Sequence, residues 1–172
     1  APAPQAPPVI RREDYQPPAW LVPQIALDFR LGIEETRVTA RLSVRRNPAG
    51  SAASTLHLNG DQLTPLAVRV DGEAVNDWRM DGADLLVELT GEAHEVEIET
   101  SVNPAANSQL MGLYASNGML CTQCEAEGFR RITFFPDRPD VLSTYSVRMA
   151  GDKGQFPILL SNGNCTATGE GE

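Results

Sequence analysis

Two cysteines and two acids lie close together in LCTQCEAEGF, residues 120–129. Cys121 and Cys124 have the CxxC spacing found both in structural zinc sites and in thiol redox enzymes. Glu125 and Glu127 follow within three residues on an irregular segment bounded by glycine, where carboxylates are often presented to ligands. The segment therefore supports three hypotheses: half of a metal site, a redox pair, or carboxylates that bind a cation.

The first two hypotheses need partners that the rest of the sequence does not supply. A zinc site usually joins CxxC to a second cysteine or histidine pair, but Cys165 lies 41 residues after Cys124, and His57 and His94 lie at separate strand edges. A redox CxxC is typical of a βαβ unit, and no such pattern occurs. We therefore expect no metal site in this chain and favour core packing for the cysteines.

No catalytic motif is evident elsewhere. The sequence contains no HExxH, no GxSxG and no glycine-rich phosphate loop, so no catalytic residue is predicted in these 172 residues. On the residues alone, Glu125 and Glu127 are either cation ligands or ordinary surface acids.

The charge balance excludes several classes of partner. Acids outnumber bases 23 to 14, which gives a formal net charge of -9. Nucleic acids and anionic membrane surfaces both require clustered Lys and Arg, so we expect neither as a partner. No apolar run approaches the roughly 18 residues of a membrane span. The odd number of cysteines favours a reducing, cytoplasmic compartment, with export after removal of a signal peptide as the alternative.

The clearest periodicity is two, which is typical of half-buried strands. In RVTARLSVRR (37–46), apolar residues alternate with arginine, serine and threonine, and HEVEIETSV (94–102) repeats the pattern with glutamate. Further strands are predicted at 24–31, 55–58, 66–70, 84–89, 144–149 and 156–161. Asp-Gly and Asn-Gly pairs between them are typical of tight hairpins.

These patterns predict an all-β fold with roughly eight to twelve strands. Helix is expected only briefly, around residues 125–131. Residues 1–18 are rich in proline and alanine and predict an extended arm, and residues 19–172 show no internal boundary, so a single β domain is expected.

Residues 103–164 carry four motifs in order: GLY, CTQCEAEGFR, FFPDRPDV and LLSNGN. With these motifs the chain resembles the N-terminal domain of the bacterial aminopeptidase N family, zinc metallo-exopeptidases of the alanyl aminopeptidase type. IRREDYQPP and LHLNGDQL extend a looser similarity through the first hundred residues. The resemblance implies a saddle-like β domain of mostly antiparallel and mixed sheets, packed as an open sandwich, which agrees with the periodicity.

The resemblance also implies that this domain and the following one have different functions in peptide breakdown. In this family the zinc lies in the following domain, on an HExxH helix beside a GAMEN loop, and neither motif occurs here. The family's first domain also extends further than this chain. We therefore expect a truncated, inactive piece of a zinc aminopeptidase. Its partners would be its own catalytic domain and peptide substrates with a free N-terminus.

A role for the opening segment follows from the same resemblance. It implies that Glu125 reaches into the catalytic cleft to bind the α-amino group of the substrate, and that Gln123 lines the pocket for the first side chain. The resemblance also implies a cis peptide at Glu125-Ala126 and a scaffold role for the cysteines. A buried ammonium needs a carboxylate partner, since an unpaired buried charge is costly.

Other residues of the matched motifs are given structural roles. We expect such roles for Glu127, Arg130 and Asp137, and a turn in FFPDRPD in which Arg138 pairs with a neighbouring acid. Two alternatives stay open: a stand-alone, non-catalytic β-sandwich interaction module, and a small CxxC metal or redox protein. A sheet left incomplete would also expose an edge strand, so weak homodimerisation through that edge is expected.

Overall fold

Alternating apolar and polar residues form the strands of the protein, which we describe from a computed structural model over residues 11–171. These residues contain eleven strands. They are β1 (Trp20–Arg30), β2 (Thr36–Arg46), β3 (Thr55–Leu58), β4 (Ala67–Val70), β5 (Glu73–Ala74), β6 (Trp78–Asp81), β7 (Asp84–Glu88), β8 (Ala93–Val102), β9 (Gly112–Ser116), β10 (Met119–Gln123) and β11 (Thr144–Ala150). Helical structure in this part of the chain is limited to three 3-10 turns: Arg12–Asp14, Pro104–Ala106 and Phe129–Arg131.

The strands form two sheets and a hairpin. The larger sheet has six strands in the order β11-β1-β2-β8-β4-β5, and the smaller has three in the order β3-β7-β6. Strands β9 and β10 pair only with each other. All pairings are antiparallel except β1 with β11, which is parallel. The predicted all-β fold with mostly antiparallel, mixed sheets is therefore confirmed.

The core lies between the two sheets. Inward-facing residues of β2 and β8, including Val38, Leu42 and Ile98, are fully buried, as are Leu56 and Val87 of the smaller sheet. All belong to one hydrophobic cluster. The opposite face of β2 and β8 carries arginines and glutamates that pair across strands, such as Arg41 with Glu97 at 2.7 Å. One face of the large sheet is thus apolar and the other charged, as the alternation predicted.

Aromatic residues between Phe129 and Phe135 pack into this core. Phe134 is fully buried, and Phe129 packs edge-to-face against Phe135 with ring centroids 5.3 Å apart. The backbone N–H of Asn59 donates to the carbonyl of Phe135 at 2.8 Å, and Phe135 returns a bond to Asn59. This bridge attaches the irregular segment 124–141 to the end of β3.

Most predicted strands are found within a few residues of their expected bounds. The strand predicted at 156–161 is wrong, because no strand forms there. Only Phe156 of that run is buried, whereas Ile158 and Leu160 are 75% and 86% exposed. No described strand pairs with the run, and an apolar segment becomes a strand only when a neighbour accepts its backbone hydrogen bonds. Strands β5, β6, β9 and β10 were not predicted because each is short and lacks a clear alternation. The helix expected at 125–131 is only a single 3-10 turn.

The predicted arm lies partly outside the described residues, since residues 1–10 are not described. Its remaining part contacts the domain. The Tyr15 hydroxyl donates to the Asp140 carboxylate at 2.8 Å, and the Arg138 guanidinium donates to the carbonyl of Gln16 at 2.9 Å.

No helix in the described part of the chain is long and apolar enough to cross a membrane.

Candidate functional site

A tight hairpin delivers the CxxC segment to one end of the core. Strands β9 and β10 are joined by Asn117-Gly118, which both have positive φ, 50° and 78°. Such a pair forms the two-residue turn that matches strand twist. Cys121 opposes Tyr114, and Gln123, the last residue of β10, opposes Gly112. The position of Gln123 is therefore set by the ladder.

Directly after β10 the chain makes a turn over residues 124–128, which we call the 124–128 turn. The N–H of Gly128 donates to the carbonyl of Cys124 at 2.8 Å, and the Glu125-Ala126 peptide bond is cis, as the resemblance implied. A Cβ on Gly128 would lie 2.5 Å from the carbonyl oxygen of Gln123 and 2.8 Å from Cα of Cys124. Only glycine fits this approach without displacing the backbone.

Gln123 and Glu125 both lie on the surface of this turn, close together. The side-chain amide of Gln123 donates to the backbone carbonyl of Glu125 at 3.0 Å. Both residues are exposed, and among residues 11–171 the Glu125 carboxylate has no ion-pair partner, whereas Glu127 pairs with Arg130 at 3.3 Å. The arrangement presents one uncommitted carboxylate on an ordered backbone, which suits an ammonium group.

The cysteines are not joined by a disulfide, and the surroundings of Cys124 disfavour reactivity. All three are free thiols; Cys121 and Cys124 are partly buried and Cys165 is exposed. Burial raises the pKa of Cys124, and the nearby negative charge of Asp137 raises it further. A raised pKa keeps the thiol protonated at neutral pH, which disfavours both nucleophilic attack and metal ligation. Cys124 also packs against the hydrophobic core, consistent with the scaffold role implied for it.

Arg130 and Asp137 form a cluster of contacts directly beneath the turn. One carboxylate oxygen of Asp137 accepts from the backbone N–H of Arg130 at 3.2 Å and from its Nε at 3.1 Å. The Arg130 Nη2 donates to the backbone carbonyl of Asp137 at 2.8 Å. Both side chains are about four-fifths buried. The structural roles predicted for these two residues agree with this geometry.

Arg131 anchors the same region to more distant parts of the chain. Its guanidinium donates to the Asp61 carboxylate at 2.6 Å and to the Gln109 side chain at 2.7 Å, and it is 90% buried. These contacts span 70 and 22 residues of sequence, and no local pattern signalled them. A groove lined by Asp61, Glu127, Arg131 and others runs beside the turn.

The acid expected to pair with Arg138 is Asp140. Its two carboxylate oxygens accept from Nε and Nη2 of Arg138 at 2.8 and 2.7 Å, which confirms the predicted pair. The hydrogen bond from Arg138 lowers the pKa of Asp140, and the Tyr15 hydroxyl lowers it further. This pair ties the 136–141 turn to the N-terminal residues and forms no hydrogen bond or ion pair with the 124–128 turn.

The two histidines pair with aspartates. His57 contacts Asp84 at 2.6 Å, and His94 contacts Asp71 at 2.7 Å. The bond from His94 lowers the pKa of Asp71, assisted by the N–H of Glu95. Within residues 11–171, no three His, Cys, Asp or Glu side chains are arranged to hold a metal ion. The described residues therefore do not fit a zinc site.

Comparison with known sequences gives a consistent family. The family model described as Peptidase M1 N-terminal domain matches residues 13–172. Aminopeptidase N of Caulobacter vibrioides is 46% identical over 165 residues, 95% of this chain and 19% of that protein. Aminopeptidase N of Escherichia coli is 40% identical over 166 residues, 96% of this chain and 19% of that protein. The chain thus spans about a fifth of the length of these relatives.

Comparison with solved structures gives the same fold. Aminopeptidase A of Legionella pneumophila, solved in complex with aspartic acid, superposes with a TM-score of 0.81 at 27% identity, covering 88% of this chain and 18% of that one. An M1 zinc metallopeptidase from Deinococcus radiodurans superposes with a TM-score of 0.66 at 18% identity, covering 79% and 33%. At that lower identity the likeness concerns the fold alone.

Proposed function

Because this chain belongs to the Peptidase M1 N-terminal domain family, we propose that it acts as the N-terminal, substrate-recognising domain of a longer zinc-dependent aminopeptidase. The whole protein would release N-terminal amino acids from peptides. Support comes from relatives named Aminopeptidase N that are about five times longer and match over this region. Zinc would polarise the scissile carbonyl and activate water, and its ligands would lie outside residues 11–171.

Within that enzyme, Glu125 would bind the α-ammonium group of the substrate, and Gln123 would line the pocket for the first side chain. One observation carries this assignment: Glu125 is an exposed carboxylate that lacks an ion-pair partner within the described residues, yet sits on a turn fixed by hydrogen bonds. Charge-assisted hydrogen bonds to carboxylates are short and strong. Holding the substrate by its terminal ammonium also places the first peptide bond, and no later one, at the catalytic centre.

Gln123 is suited to a different part of the task. Its amide donates to the carbonyl of Glu125, which fixes the side chain against the turn and leaves its carbonyl oxygen available. A neutral amide tolerates both apolar and basic first side chains, since it can accept a hydrogen bond without presenting a charge. The partners of this domain would therefore be the peptide substrate and the enzyme's own catalytic domain.

Replacing Glu125 by Gln in the complete enzyme tests the assignment. We expect KM for an amino-acyl p-nitroanilide to rise about 10- to 100-fold, because a hydrogen bond to a charged group contributes about 1.5–3 kcal/mol. The change in kcat should be smaller, since the scissile bond is attacked from the other domain. Steady-state kinetics at several pH values gives both constants.

Glu95→Gln is the matched control, because Glu95 is an exposed glutamate on the charged face of the large sheet. Its KM should equal that of the unmodified enzyme. An unchanged KM for Glu125→Gln would contradict the assignment. A reading frame without an HExxH helix would instead favour the stand-alone β-sandwich module.

We also propose weak self-association through β11. This strand lies at the edge of the large sheet, and the described residues place a neighbour only on its β1 side. Exposed apolar side chains lie on or near it in the sequence, including Leu142 and Tyr145. An open edge of this kind favours strand pairing between copies. Sedimentation equilibrium that fits a monomer at every concentration would contradict the proposal.

Two further proposals concern organisation and location. Residues 19–172 would form one domain, and the single hydrophobic cluster supports this proposal. Limited proteolysis should therefore yield one stable core fragment; two separate stable fragments would contradict it. A reducing, cytoplasmic location is supported by three free thiols. Recovery of the protein from the periplasmic or culture fraction would contradict the location.

A further inference from the structure

We propose that Asp137 is a positioning residue for substrate binding: through Arg130 it fixes the turn that carries Glu125, and so sets the strength of α-ammonium recognition. The proposal rests on the proposed function of Glu125. Asp137 lies twelve residues after Glu125, and its carboxylate and carbonyl groups bond to Arg130 rather than to the 124–128 turn. It acts on another residue rather than on the reacting groups.

Asp137 holds both the backbone and the side chain of Arg130. A single carboxylate oxygen accepts from the Arg130 N–H and from Nε, and the Asp137 carbonyl accepts from Nη2. Three bonds to one neighbour fix the backbone orientation and the side-chain rotamer together. The backbone carbonyl of Arg130 accepts from the N–H of Asp61 at 2.9 Å. Both polar groups of the main chain at Arg130 are therefore committed.

Arg130 in turn constrains the far end of the 124–128 turn. Its Nη2 also lies 3.3 Å from the carboxylate of Glu127, two residues after Glu125. The N–H of Arg131 donates to the carbonyl of Gly128 at 3.1 Å. The near end of the turn is fixed by the last ladder pair of β10. Glu125 thus lies between one end held by the hairpin and another held by the Arg130 side chain and the Arg131 backbone.

Asp137 is itself bonded to a residue at the end of the small sheet. The N–H of Asp137 donates to the side-chain carbonyl of Asn59 at 3.1 Å, and Asn59 forms the backbone bridge to Phe135. Asn59 follows β3 directly and also donates to Asp84 of β7 at 3.3 Å. Asp137 therefore links the end of the small sheet, through Asn59, to Arg130 and so to the turn.

The negative charge of Asp137 is central to this role. Arg130 is about four-fifths buried, and a buried guanidinium that loses its carboxylate partner turns toward solvent or toward the nearest other acid. The nearest is Glu127, on the turn itself. The Asp137 carboxylate lies within hydrogen-bond distance of Arg130, whose guanidinium also reaches Glu127 of the turn. Removing that charge should loosen Glu125 while leaving the sheets intact.

The test is a double-mutant cycle in the complete enzyme. Asp137→Asn and Glu125→Gln are made singly and together, and KM and kcat are measured with an amino-acyl p-nitroanilide. Asp140→Asn is the matched control, because Asp140 forms a comparable arginine pair in the same loop without a hydrogen bond or ion pair to the turn. Arg130→Lys is a second variant that tests the same contacts. Lysine keeps the positive charge but lacks the planar guanidinium that contacts both Asp137 and Glu127.

We expect Asp137→Asn to raise KM about tenfold with kcat changed less than about twofold, and Asp140→Asn to leave both unchanged. In the Glu125→Gln background, Asp137→Asn should have no further effect, because the group that it positions is already lost. A general structural defect would instead lower activity by the same factor in both backgrounds, which would overturn the proposal. Should Asp137→Asn fail to fold, Arg130→Lys decides by the same comparison.

The outcomes separate this inference from the proposed function. A raised KM for Glu125→Gln with an unchanged KM for Asp137→Asn overturns the positioning role alone. An unchanged KM for Glu125→Gln overturns the proposed function, and the positioning role with it.

Discussion

The six-stranded sheet and the 124–128 turn are ordered by different means. In the sheet, β2 pairs with β8 over ten consecutive residues and with β1 over most of its length, and each buried side chain shares its environment with several others. The turn is held by one internal backbone bond, one glycine and the contacts of Arg130. The sheet is built from many repeated interactions, whereas the turn depends on a few single ones.

The proposed function gives a reason for this difference. A ladder tolerates the loss of one pair because its neighbours keep the register. It also fixes side chains only perpendicular to the sheet, in two alternating directions. Presenting a carboxylate to a ligand in another direction requires irregular backbone, and irregular backbone needs specific partners for its polar groups. The site therefore concentrates its stability in a few residues.

The largest expected change in stability comes from the core of the large sheet. Leu42 is fully buried in the core, so Leu42→Ala should lower the free energy of unfolding by about 2–5 kcal/mol through lost burial and the cavity left behind. Urea unfolding followed by circular dichroism measures the change. Leu142→Ala is the control, because Leu142 is 85% exposed and should change stability by less than about 0.5 kcal/mol. Similar losses in both variants would show that the sheet core is not where stability resides.

An intermediate effect is expected from the turn. Gly128→Ala places a Cβ against the backbone of Gln123 and Cys124, so the turn must open and stability should fall by about 1–3 kcal/mol. Gly169→Ala, where the added Cβ meets nothing within 4 Å, should be neutral. Thermal unfolding compares the two variants. Hydrogen exchange should show the loss of protection confined to residues near the turn; a loss spread through the large sheet would contradict the distinction between the regions.

The smallest effect concerns the Arg138–Asp140 pair and its dependence on pH. Hydrogen bonds from Arg138 and Tyr15 hold the pKa of Asp140 below its ordinary 3.8. The stabilisation is therefore complete above about pH 4 and is lost as the pH falls through the lower, folded-state pKa. Asp140→Asn should be less stable than the unmodified protein at pH 7 by under about 1 kcal/mol, because the pair is partly exposed. Urea unfolding should show the difference shrinking below pH 4; a difference that grows with acidity would contradict it.

The sequence alone was sufficient for most of the sheet. Alternation in 37–46 and 94–102 determines which residues face inward, and Val38, Leu42, Val96 and Ile98 are all fully buried as that pattern requires. It was not sufficient at 156–161, where apolar residues without a neighbouring strand stay exposed. The pattern states which face a strand would bury and not whether a partner is present.

For the site, the sequence by itself located the segment but not its support. Motif resemblance singled out Gln123 and Glu125, and local spacing predicted that Arg138 pairs with a nearby acid. The bonds from Arg130 to Asp137, from Arg131 to Asp61 and from Asp137 to Asn59 appear only in the tertiary structure. Local patterns encode the periodicity of a backbone. Contacts between residues far apart in the chain are decided only when the sheets pack and bring those residues together.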